Sequence, residues 1–244
     1  MIAFATQKSD RFRWPMAVWF RLLVMTAAFA VLVQIGLLAA GRFSAGLSAQ
    51  GAVTSEITAL ALAEAGAVLA LSVLLARDGR SLRDLGLWRN ASPLAWGLGL
   101  TLGLATTYLG LSNPALHLPS RLAAVFDPSP WHLYCALVAG TAAGFCEEII
   151  FRGFVMQELA AAGHGRTMQI TGSALFFGIA HVGLLRAGVI AGLMVIVPTA
   201  VLGALYAGIY LLGRRSLMPV IASHFLNDAA VIPLIFLAVA SQTH

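Results

Sequence analysis

Glu147-Glu148-x-x-x-Arg152 lies inside a run that is otherwise apolar from Trp131 to Phe154. No other stretch restricts so sharply what the chain can fold into. Each charged group at bilayer depth costs roughly 2.5–3.5 kcal/mol on insertion scales. Three of them in one helix must therefore face protein or water. Later apolar segments supply candidates for what they face: His181 in one, and His224 with Asp228 in another.

That the run belongs in a bilayer follows from the charge content. Only 10% of the 244 residues are charged and 59% are hydrophobic, where soluble domains carry about 25% charge. The net charge of +5 does not point to nucleic acid, because the basic residues gather at segment ends. There they orient helices and meet anionic headgroups. The expected surroundings are the lipid bilayer of a cell membrane, crossed several times. Cys135 and Cys146 share one segment, about 16 Å apart along a helix, too far for a disulfide.

The fold expected is an all-α polytopic bundle of about seven spans. Residues 1–15 form a cytoplasmic leader with Lys8, Arg11 and Arg13. Residues 16–112 hold three leading transmembrane helices: Met16 to Ala40, too long for a cleaved signal, then Val53 to Ala76, then Pro93 to Leu111. Arg21 can snorkel to the near interface. Glu64, deep in the second span, reads as a polar contact to another helix, and Glu56 as a group near water. Gly97, Gly99, Gly103 and Gly110 in the third span suit close packing in lipid. Between Ser112 and Pro130 a short amphipathic piece is expected around Leu118 to Phe126. Residues 131–240 form the catalytic-looking core: Trp131 to Ala160, Thr167 to Leu185, Ala187 to Leu212 with a kink at Pro198, and Ser216 to Ala240. Lys and Arg cluster in the leader and in the 77–90 loop, which places the N-terminus in the cytoplasm.

Depth brings the polar groups together. At 1.5 Å per residue, Glu147 lies roughly 20 Å from the cytoplasmic end of its segment and His181 roughly 21 Å from its own. His224 and Asp228 lie roughly 12 and 18 Å from Ser216. One layer of a core about 30 Å thick holds all four. Glu148 and Arg152, at i and i+4, pair in the favourable acid-first order, which leaves Glu147 for another partner. His224 and Asp228 share a face by the same spacing. A carboxylate and a histidine at this depth can activate water against a carbonyl, with His224 and Asp228 on the side of the oxyanion. Zinc held by Glu147, His181 and His224 is the alternative. His-Glu-x-x-His and Gly-x-Ser-x-Gly are both absent from the sequence.

Glu147-Glu148-x-x-x-Arg152, Phe177-x-x-x-His181 and His224-x-x-x-Asp228 resemble the three motifs of the CPBP family, the CAAX-protease-like and bacteriocin-processing membrane proteins. Ser81-Leu82-Arg83-Asp84-Leu85-Gly86-Leu87 is similar to that family's lead-in. The resemblance implies a glutamate-dependent intramembrane endopeptidase acting on a membrane-associated peptide or protein, with no cofactor. It implies Glu147 as base, His181 holding the water, His224 and Asp228 at the oxyanion, and Glu148, Arg152, Phe177 and Asn227 in support. Asp228 stands where the family often has asparagine. A non-enzymatic immunity or scaffold protein of the same fold is the second reading, and an ion-coupled transporter the third.

Overall fold

A computed structural model of the chain describes residues 15–112 and 129–240. The leader Met1 to Trp14 and the amphipathic piece around Leu118 to Phe126 lie outside the described residues. Among those described, the chain forms seven helices: α1 (Pro15–Phe43), α2 (Ala49–Arg77), α3 (Pro93–Leu111), α4 (Pro130–Ala161), α5 (Arg166–Ala180), α6 (Val189–Leu212) and α7 (Met218–Ala240). All but α5 are long and apolar enough to cross a membrane. The protein is a multi-pass helical membrane protein.

Local sequence explains where the helices begin. Ser48, Ser92 and Ser129 each cap a helix, their hydroxyls accepting from the backbone N–H of Gly51, Ala95 and His132. Pro93 and Pro130 follow two of these serines, where a missing N–H costs nothing. The third span has the bounds read from sequence. The fifth does not: α5 stops at Ala180, His181 caps it, and a 3-10 turn takes Val182–Ala187. The apolar run continues past the helix end, so hydropathy does not mark the stop. Helix α6 continues through Pro198.

Helix α4 is the central element. Of its apolar stretch 56% is buried, against 17% for α6. Its middle is wound as π-helix over Ala142–Glu147 and again over Ile149–Val155. Such turns are rare and concentrate at functional sites.

Two sets of glycines hold α7 close to its neighbours. A Cβ built on Gly99 would stand 2.6 Å from the Pro219 carbonyl oxygen, and one on Gly103 2.8 Å from that of Ser223. Gly110 meets the Val231 side chain instead, and Gly97 faces open space. From the other side, Gly144 of α4 meets the backbone of Phe225 and Ile221. His224 is thus carried on a helix seated between two glycine faces. Gly103→Val is expected to lower stability by at least about 1–3 kcal/mol, the usual cost of overpacking. The drop should register as a lower midpoint in thermal unfolding of the purified protein, while Gly97→Val should leave the midpoint in place.

The 81–87 segment pins the other ends of α4 and α7. Ser81 donates from its backbone N–H and its hydroxyl to Asp84, which holds the Asp84 carboxyl below its ordinary range. Gly86 then turns with φ of 104° and accepts from Leu217 N–H at 3.1 Å. Any Cβ there would collide with the Arg215 carbonyl. Gln157 of α4 donates to the Asp84 carbonyl at 2.9 Å. Nearby, buried Glu158 takes Arg80 at 2.5 Å and Arg21 at 3.6 Å, and Arg21 also reaches Asp78 at 2.6 Å. Arg21 therefore ties α1 to α4 and to the end of α2.

Candidate active site

The glutamate pair divides its work as the spacing predicts. Arg152 Nη1 lies 2.7 Å from Glu148 Oε1, and both side chains are wholly buried. The same Glu148 oxygen accepts a second bond, from His224 Nδ1 at 2.8 Å. A carboxylate facing Arg152 only accepts, so the His224 proton on this side sits on Nδ1. That leaves Nε2 turned towards Glu147 Oε2 at 3.7 Å and Asp228 Oδ2 at 3.5 Å. Asp228 Oδ1 in turn accepts from Asn227 Nδ2 at 2.6 Å.

Phe177 is the packing centre of this group. Its ring lies under the Arg152 guanidinium, 4.2 Å from ring centre to charge, and edge-on to both His181 and His224. Tyr206 covers another side of Arg152 at 5.2 Å. Nε and Nη2 of Arg152 have no hydrogen-bond acceptor among the described residues, so these aromatic faces are what they meet. The Phe177 carbonyl bonds His181 Nδ1 at 2.9 Å. Being an acceptor, it fixes the proton on Nδ1 and leaves the His181 Nε2 lone pair free.

Glu147, His181, His224, Asn227 and Asp228 line one cavity of about 370 Å³, together with Phe177. Glu148 and Arg152 stand behind that wall. The geometry thus brings together all eight residues singled out from the sequence, in two layers. Among the described residues no three His, Cys, Asp or Glu side chains are gathered closely enough to hold a metal ion.

One further acid, for which the sequence suggests a polar contact to another helix, also reaches the cavity. Glu64 of α2 is buried, at 1% exposure, and lines the same cavity. The depth arithmetic that collected the other groups would have found it: Glu64 lies about 20 Å from the end of α2 at Arg77. Gln34 of α1 and Thr199 of α6 also reach the cavity. Neither polar residue stands out in an apolar helix sequence. Glu56, by contrast, is not part of the cavity wall.

Residues 129–230 match the family model described as Rce1-like, type II CAAX prenyl endopeptidase. The match begins at the cap of α4 and takes in all three motifs. No curated protein and no solved structure matches the chain.

Proposed function

We propose, from the match of residues 129–230 to the Rce1-like CAAX endopeptidase family model, that the chain hydrolyses a peptide bond of a membrane-associated polypeptide with water activated by Glu147 and His181. The observation that carries this reading is the shared cavity, where Glu147 and the free Nε2 of His181 face the same space as His224 Nε2.

The residues divide the reaction as follows. Glu147 takes a proton from water, whose second hydrogen bond goes to His181 Nε2. The hydroxide oxygen adds to the carbonyl carbon, and the carbonyl π pair moves to oxygen. His224, as the imidazolium, donates from Nδ1 to Glu148 and from Nε2 to that oxyanion. The C–N bond then breaks, and Glu147 returns its proton to the leaving amine. Asp228, held by Asn227, orients His224 rather than meeting the oxyanion, since two negative charges would repel. Glu148 and Arg152 keep the imidazole in place.

The test is cleavage of a co-expressed panel of tagged membrane peptides by wild type and by His181→Ala. Wild type is expected to give products that persist in chelator, and the variant at least about 10²-fold fewer, as for loss of a positioned acid–base group. Equal cleavage by both proteins would sink the mechanism. Loss in chelator with rescue by zinc would make Glu147, His181 and His224 metal ligands instead.

A further inference from the structure

Glu64 has no role in the reaction just described, yet it occupies the most costly kind of position in the fold. It lies mid-way along α2, is 1% exposed and lines the cavity, and its Oε2 has no hydrogen-bond partner among the described residues. A carboxylate left so deep in an apolar helix is a functional group by default. A buried acceptor without a donor is itself costly.

The charge balance of the cavity says what it lacks. Among the described residues, three carboxyl groups line it, Glu64, Glu147 and Asp228, against two imidazoles, and no lysine or arginine does. Glu148 is not counted towards an incoming group, because it is absent from the lining of the cavity and its Oε1 already holds both Arg152 and His224. The acids are not drawn together around a point, as a small metal ion requires. They are spread over a volume whose remaining walls are largely apolar, among them Val33, Leu60, Leu202 and Ile232. A charged end on an aliphatic stem satisfies both features, since the stem buries against the walls while the head meets the carboxylate.

We propose that Glu64 is the floor of a subsite for a cationic side chain of the polypeptide substrate, an ammonium or guanidinium carried on an apolar stem. This rests on the reading of the cavity as a peptide site, but its test does not require cleavage. Two apolar peptides identical except for a central lysine or norleucine are titrated onto the full chain carrying Glu147→Gln. The protein is held in uncharged phosphatidylcholine nanodiscs, so that lipid attracts neither peptide. The lysine peptide is expected to bind at least tenfold more tightly. Adding Glu64→Gln should shrink that ratio below threefold. Should that protein not fold, Glu64→Asp in its place should reduce the ratio at least threefold, because the shorter side chain withdraws the charge. Equal binding of the two peptides, or a preference that survives the Glu64 substitutions, overturns the subsite. Selective binding by Glu147→Gln, alongside equal cleavage of the peptide panel by wild type and His181→Ala, would retain the subsite and sink the hydrolase mechanism.

Discussion

Glu147→Gln is expected to lower peptide cleavage by about 10²–10⁴-fold, the range for removing a positioned general base. The amide nearly matches the carboxylate in shape, so the cavity keeps its volume and its other walls. What is lost is the ability to take a proton from water. The loss should therefore appear in kcat, with KM for a labelled peptide within about threefold of wild type, as for an interaction made only in the transition state. A deficit confined to KM would assign Glu147 to binding. Full turnover would remove the glutamate from the mechanism. A protein that acts only by holding a partner helix would behave differently again, since the amide variant should still protect cells or retain the partner.

Arg152→Ala should produce the largest change in stability. The guanidinium is wholly buried, and it is the cation that offsets Glu148. Breaking a buried pair from one side leaves an uncompensated charge and typically costs about 3–5 kcal/mol. Here the cost also includes the guanidinium seat between Phe177 and Tyr206. The single variant is expected to lose its cooperative thermal transition or to fail to accumulate. Adding Glu148→Ala removes the stranded charge and should recover much of the stability. It should not recover turnover, because His224 Nδ1 then has no carboxylate to hold it. A double variant as unstable as the single one would show that packing, rather than charge, sets the cost. Recovered turnover would separate Glu148 from the orientation of His224.

How far the sequence led can be judged residue by residue. Glu147, Glu148 and Arg152 were legible because ions in an apolar run are so costly that their presence requires an explanation. Their i, i+4 pairing survives in the structure, even though the helix around it is π-wound. The histidines were legible through depth, because a straight helix converts residue count into height. What a count along single helices cannot give is which side chains meet across them. The bond from His224 to Glu148 joins residues 76 apart, and nothing local encodes it. Glu64, taken alone on its own helix, has no neighbour to define a purpose, so its sequence suggests only a structural contact. The stop of α5 before His181 was hidden for another reason. Val182, Leu184 and Leu185 continue the apolar run, whereas the backbone turns there and the His181 ring meets its own preceding turn.

The π-wound middle of α4 makes the site depend on chain length as well as on residue identity. Hydrogen bonds there reach five residues back instead of four, so the same height along the axis takes up more residues than an α-helix would use. An ordinary α-helix of identical sequence would advance about 100° per residue, and a slip of one position would swing Glu147 off the cavity wall. Removing a single alanine before the glutamates could let the backbone regularise with every span intact and every motif still readable. Such a chain would keep its hydropathy and lose its aim. In comparing related sequences, a gap of one residue between Trp131 and Glu147 thus deserves the weight usually given to a substitution of the glutamate itself.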